Sequence, residues 1–269
     1  MKRHLPVPKA PAVVLTATPQ ELVDQLDQRW DALHTLTATV EIQATEFKTA
    51  EGFEKDFPSC RGFIVMRKPR MLRVVGTYFG VKFFDMASDG EHFTLVIPEK
   101  NLAIEGADTV KEKNPESPML NLRPGFFLDA IAVRGLAPDD EYMVVNDTET
   151  VEDAAKKHLY SEPEYELSIM RPKAGREITP VRVITFRRVD MLPYNQDIYD
   201  SDGSLETQVT YSNYAQFTAG KYPSRVTIKR PKEGIQLVLT VVDVKENVEL
   251  SDSQFQVKIP EGAKIQQLK

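Results

Sequence analysis

The sequence predicts a mainly β domain of the α+β class: a curled antiparallel sheet of about a dozen strands, with two apolar helices laid across its open side. Three observations predict it. Apolar and polar residues alternate along most of the chain, the period of a strand with one buried face. Turn signals interrupt that alternation about every ten residues, the spacing of consecutive antiparallel strands. Helix signals are confined to two segments, near residues 18–33 and 123–135.

The chain opens on residues 1–16, where Pro6, Pro8 and Pro11 read as a semi-rigid extended tether. Extended at about 3.1 Å per residue, it would span roughly 50 Å. Met1-Lys2-Arg3 has the charge of a secretory opening, but prolines stand where the apolar core of a signal belongs. The expectation is a spacer behind a removed signal or a lipid-modified cysteine. Residues 17–269 then read as a single domain.

Thr18-Pro19-Gln20-Glu21 is a capping box with Pro at the first helical position, so the unpaired amides of the first turn find partners. Leu22, Val23, Leu26, Trp30 and Leu33 follow at helical spacing as one apolar stripe. Leu36, Ala38, Val40, Ile42 and Ala44 then alternate with polar residues, which predicts a strand. Further strand-like runs cover 59–67, 70–77, 81–87, 91–97 and 102–105, punctuated by Lys68-Pro69, Phe79-Gly80, Ser88-Asp89-Gly90 and Pro98-Glu99-Lys100-Asn101. Residues 107–122 are polar. Arg123-Pro124-Gly125 then opens a short greasy helix through Phe126, Phe127 and Ile131, stopped at Gly135. The strand pattern resumes at 141–147, 164–170, 178–188, 206–217, 224–230, 235–247 and 254–258.

Composition narrows the function. The 269 residues carry 34 Lys+Arg against 40 Asp+Glu, a net charge of −6, which argues against nucleic-acid binding. No apolar run reaches the roughly 20 residues of a spanning helix. One cysteine, Cys60, excludes an internal disulfide and any multi-thiolate metal site. The four histidines, His4, His34, His92 and His158, have no ligand spacing, so neither metal nor cofactor is expected. There is no G-x-S-x-G elbow and no phosphate-cradling glycine loop. Asp200-Ser201-Asp202-Gly203 reads as a hairpin turn rather than a calcium loop. Acid-rich stretches such as Glu162–Glu166 read as a solvated surface, and nothing anchors catalysis. The aromatic residues are more telling: Phe79, Phe83, Phe84 and Phe93 crowd the first meander, where one strand face could serve a cavity.

Three segments resemble the bacterial lipoprotein carrier and receptor family, the LolA and LolB proteins. Gly62-Phe63-Ile64-Val65-Met66-Arg67-Lys68-Pro69-Arg70-Met71-Leu72-Arg73 is similar to that family's strand, basic-Pro turn and strand. Ala87-Ser88-Asp89-Gly90 through Pro98 is similar to its S-D-G hairpin and following strand. Phe255 through Ile265 is similar to its closing F-x-x-x-x-P-x-G. Together these span most of residues 18–269.

The resemblance implies an unclosed antiparallel β-barrel of about 11–12 strands, with helices as a lid over an apolar cavity that receives acyl chains. Such a site needs no catalytic group, because each buried methylene gains about 0.8 kcal/mol. Candidate cavity or lid residues are Leu22, Leu26, Trp30, Val40, Ile42, Phe63, Val65, Leu72, Val74, Phe83, Phe93, Leu95, Phe126, Phe127 and Ile131. By the same resemblance, Phe79 in Tyr78-Phe79-Gly80 takes the place of the receptor's membrane-facing apolar residue. Lys68 stands where the carrier has a lid-latching arginine, and it lacks the five-donor fork. That departure fits an anchored protein better than a soluble shuttle. The expected function is non-enzymatic binding of lipid or lipoprotein acyl chains, as a sorting receptor or carrier in the periplasm at the outer membrane. The expected partners are acyl chains, an envelope protein and the outer-membrane surface. The alternative is an envelope sensor or protein-interaction module on the same scaffold, with the polar stretches 107–122 and 149–164 binding the partner.

Overall fold

The computed structural model describes residues 8–48, 53–110, 112, 118–153 and 158–268. Among them are fifteen strands and two α-helices. The chain divides into two compact units: a larger one of Gln28–Arg134 and Tyr211–Lys269, and a smaller one of Met1–Asp27 and Gly135–Thr210.

The capping box forms as the sequence requires. Thr18 N–H donates to Glu21 Oε2 at 2.7 Å and Glu21 N–H donates to Thr18 Oγ1 at 3.2 Å, opening α1 (Pro19–Ala32). Those contacts, the Thr18 amide first and its hydroxyl second, hold the Glu21 carboxyl below its usual range. Leu22, Val23 and Leu26 are the buried stripe of the helix.

The larger unit is built on β1 (Thr35–Lys48), β2 (Phe53–Asp56), β3 (Cys60–Arg67), β4 (Met71–Tyr78), β5 (Val81–Ser88), β6 (His92–Ile97) and β7 (Leu102–Ala107). The chain returns to it through the end of β12 (Leu205–Phe217), then β13 (Gly220–Arg230), β14 (Ile235–Glu246) and β15 (Lys264–Gln267). Hydrogen-bonded order is β15-β7-β6-β5-β4-β3-β1-β14-β13-β12, with β2 paired to the end of β1. The pairs β1–β14, β1–β3, β3–β4, β4–β5, β5–β6, β6–β7 and β13–β14 are antiparallel, whereas β15 runs parallel to β7. The smaller unit carries β8 (Glu141–Asp153), β9 (His158–Pro172), β10 (Ile178–Arg187), β11 (Leu192–Tyr199) and the first half of β12, in the order β12-β11-β10-β9-β8. Among the described residues the sheet is unclosed: its end strands, β8 of the smaller unit and β15 of the larger, each pair on one side only.

The second helix, α2 (Pro124–Ile131), packs on β4, β5 and β13 and buries Phe126, Phe127, Ala130 and Ile131. Its C-terminal end is held by the Tyr222 hydroxyl, which donates to Ile131 O at 2.5 Å. Burial drives the Tyr222 hydroxyl pKa upward, so it stays a donor.

Three expectations differ from the structure. Residues 254–258 form no strand; Asp252–Phe255 is a short 3₁₀ turn capped by Ser251 and Gln254, and the closing strand is β15. The stretch 149–164 is no free loop: 149–153 and 158–164 extend the β8–β9 hairpin, with 154–157 outside the described residues. Residues 8–16 lie along the smaller unit. Lys9 N–H donates to Leu159 O at 2.8 Å, Lys9 O accepts from Ser161 N–H at 2.9 Å, and Leu15 N–H donates to Arg188 O at 2.7 Å. The cause is local: β10 pairs with β9 only from Glu164 onward, so that side of residues 159–163 has backbone groups to fill. Residues 1–7 of the expected tether lie outside the described residues.

Candidate functional site

The register of the larger unit's strands sets side chains in lateral rows on one face of the sheet. One row is Leu36, Met66, Leu72, Ser88, Phe93 and Gly106; the next is Ala38, Ile64, Val74, Met86, Leu95 and Ile104. A third runs Val40, Gly62, Gly76 and Phe84, and Ile42 joins this face between Cys60 and Leu239. All these residues are buried. Helix α2 lies over the same face. Arg230, which shares it through Ile235, Leu237 and Leu239, places its guanidinium 3.6 Å from the Phe126 ring centre. Arg123, just before α2, lies 4.9 Å from the ring centre of Phe93.

This face therefore collects Val40, Ile42, Leu72, Val74, Phe93, Leu95, Phe126, Phe127 and Ile131 of the candidate residues. Leu22 and Leu26 are buried in the smaller unit's part of α1, and Trp30 is half-buried in the larger unit. The pleat puts Phe63 and Val65 on the opposite face from Ile64 and Met66, where Phe63 remains 40% exposed. Phe83 is the extra residue of a bulge between Gly76↔Phe84 and Thr77↔Lys82, and it is half-buried. Its neighbour Phe84 is the one that fills the face, seated so close over Gly76 that a Cβ there would meet its ring at 2.4 Å. Nothing in the alternation marks where a bulge falls, so the sequence could not choose between the two.

Two buried arginines are the polar elements that sequence reasoning missed. Arg123 donates to the Leu120, Leu122 and Glu112 carbonyls. Burial, and then the charge of Arg230, pull its guanidinium down to about 10, so it remains cationic at neutral pH. Arg230 pairs with Glu233 at 3.2 Å, with both side chains buried. The signal for Arg123 was its place before Pro124 at the helix start; Arg230 had none.

Lys68 lies at the C-terminal turn of α1. Its ammonium donates to Trp30 O at 2.6 Å and lies 4.2 Å from the Trp30 ring centre. A cation there meets the negative end of the helix dipole. Asn247 completes the fastening, donating to Ala32 O at 2.9 Å and accepting from His34 N–H at 2.8 Å.

The β4–β5 hairpin has the opposite character. Phe79 is 90% exposed, Val81 70% and Tyr78 47%, a cluster of large apolar groups at one turn. Phe79 and Gly80 both have positive φ, 45° and 80°, the backbone of a two-residue hairpin turn that favours Asn-Gly. A bulky residue in that left-handed region costs on the order of 1 kcal/mol. Both the strain and the exposure oppose folding-state stability, and such positions point to function.

His92 is exposed, and the buried Ser88 hydroxyl is taken up by Asp108 Oδ2 at 2.6 Å and Gly90 N–H at 2.8 Å. A hollow of about 530 Å³ beside His92, Thr109, Val110 and Leu268 is open to solvent. Burial raises the Cys60 thiol, which keeps it unreactive. Among the described residues, no cluster of three His, Cys, Asp or Glu could hold a metal ion, and no helix is long and apolar enough to cross a membrane.

No protein-family profile and no curated protein matches the chain. Solved structures do. A LolA superfamily protein from Nitrosomonas europaea is similar at a TM-score of 0.54 and 15% identity, covering 90% of this chain and 99% of that one. A DUF1329 family protein from Desulfovibrio piger is similar at 0.55 and 15%, covering 87% and 94%. A domain from Vibrio parahaemolyticus assigned to outer-membrane lipoprotein sorting is similar at 0.50 and 11%, covering 87% and 92%. Identities this low carry the architecture and nothing finer: the chain has the fold of LolA-type proteins.

Proposed function

We propose that this protein binds the acyl chains of lipids or lipoproteins without catalysis and passes them to a membrane surface in the bacterial envelope, as a sorting receptor or carrier. The observation that carries the reading is the β4–β5 hairpin, which exposes Phe79 and Val81 at a strained turn. An apolar tip of this kind gains free energy by entering the acyl boundary of a bilayer, where its exposure ceases to be a cost.

The cargo is assigned to the apolar face under α2, bounded by Val74, Phe93, Leu95, Phe126 and Phe127. A dozen buried methylenes contribute roughly 10 kcal/mol, enough to compete with the contacts α2 now makes. The Tyr222 hydroxyl holds the C-terminal end of this helix, and the reading takes α2 as the element that lifts to admit the cargo. Lys68 keeps the end of α1 in place meanwhile.

The test is transfer. A fluorescent fatty acid should bind the purified protein, be displaced by unlabelled lipid, and pass to vesicles. Phe79→Glu should keep the probe bound but slow its transfer at least tenfold, with unfolding free energy within about 1 kcal/mol of the parent, as for an exposed site. A protein inert to the probe, with no lipid retained in native mass spectrometry, would sink the reading. A loss of several kcal/mol in Phe79→Glu would make Phe79 a packing residue instead.

A further inference from the structure

The hairpin carries charge behind its apolar tip. Tyr78 faces Val81, Thr77 faces Lys82, and Thr77 also faces Arg61 on β3. Arg61, Thr77 and Lys82 thus form one lateral row across three strands, two residues behind Phe79. At about 3.3 Å per residue the row stands roughly 7 Å behind the tip. Interfacial apolar elements sink about 5–10 Å into the headgroup and acyl boundary, so the row falls at headgroup depth.

The cations in that row are exposed. Lys82 leaves 52% of its side chain in solvent and pairs with Asp85 Oδ2 at 2.7 Å. Asp85 is buried and already binds the Arg73 guanidinium through both oxygens, at 2.9 and 2.8 Å. The trio Arg73, Lys82 and Asp85 therefore keeps one net positive charge. The Arg61 guanidinium lies 5.3 Å from the ring centre of exposed Phe63, with Glu41 as its cross-strand neighbour on the side away from the hairpin.

We propose that this end of the sheet selects anionic phospholipid headgroups, Arg61 and Lys82 meeting lipid phosphates while Phe79 and Val81 enter the acyl boundary. The inference rests on the reading of Phe79 as membrane-facing, and adds the class of lipid that the hairpin meets. The chain's net charge of −6 opposes any general attraction to an anionic surface, so a preference for one must come from local cations.

Cosedimentation with two vesicle types tests it: phosphatidylcholine alone, and phosphatidylcholine mixed with phosphatidylglycerol. The protein should bind the anionic vesicles ten- to thirtyfold tighter at low salt, as two cations at about 1 kcal/mol each would give. High salt should erase the difference. The double substitution Arg61→Gln and Lys82→Gln should remove the preference, with circular dichroism confirming the fold, whereas Arg176→Gln, an exposed cation of the smaller unit, should keep it. Equal binding to both vesicles, or a preference that survives the double substitution, overturns this inference and leaves the reading of Phe79 standing. Binding to neither vesicle overturns both.

Discussion

Phe79 sits in a backbone conformation better suited to asparagine, with its ring packed edge-on against Tyr78 at 4.6 Å. Phe79→Asn should therefore leave the protein as stable as before, or up to about 1 kcal/mol more stable, because relief of left-handed strain exceeds the lost ring contact. Equilibrium unfolding reads this; a loss beyond 1 kcal/mol would show that the ring holds the hairpin. Glu164 allows a test of a different kind. Burial, and then the charges of Glu149, Asp147 and Glu166, push its carboxyl above the ordinary range, against the pull of the Tyr194 hydroxyl. A raised folded pKa means the folded chain holds that proton more tightly than the unfolded chain. Its contribution to stability is present at low pH and is lost as pH rises from about 4.3, the unfolded value, through the raised folded one. Glu164→Gln keeps an acceptor for Tyr194 and removes the charge. The variant should gain on the parent in melting temperature as pH rises from 4 to 7, and parallel profiles would refute the assignment.

Strands in this protein are defined by alternation, but their faces are defined by what covers them. β3 reads Phe63-Ile64-Val65-Met66, apolar on both sides, and only the α2-covered face decides that Ile64 and Met66 go in. The row Val40–Gly62–Gly76–Phe84 needs its glycines for closeness of approach: a Cβ at Gly62 would lie 2.5 Å from Ile42 Cδ1 and 2.7 Å from Val40 Cγ2. Gly62→Ala should cost about 1–3 kcal/mol by overpacking β-branched neighbours that have nowhere to move. A denaturant midpoint equal to the parent's would show that the row yields. β11 escaped the sequence reading because Leu192-Pro193-Tyr194-Asn195 carries turn chemistry; flanking bulges accommodate it as a strand.

Over the whole molecule, the last twenty residues tie distant parts of the larger unit together. Phe255 is buried under the Arg67 guanidinium, 5.0 Å from its ring centre, while Arg67 also bonds Asp252 at 2.5 Å, and β15 then pairs in parallel with β7. Phe255→Ala should cost about 3 kcal/mol, the usual loss for an emptied aromatic site. A loss under 1 kcal/mol would mean that this segment merely lies on the sheet. The same segment shows the limit of sequence reading: its F-x-x-x-x-P-x-G pattern was legible as a family likeness, yet residues 254–258 read as a strand and are a capped turn. What the sequence alone determines here is local: the capped start of α1, the meander with its turns, the greasy second helix, the absence of metal or nucleophile spacing, and an apolar residue before glycine at one hairpin. Those follow from neighbours a few residues apart, whose caps, alternation and turn chemistry act without the rest of the chain. Only the tertiary structure decided which face of each strand is buried, that Phe84 rather than Phe83 fills it, that Arg123 and Arg230 are buried beside α2, and that Arg61 and Lys82 flank Thr77 in one row behind Phe79. Those depend on register and on covering layers brought from tens to hundreds of residues away, and a period of two is the same on either face.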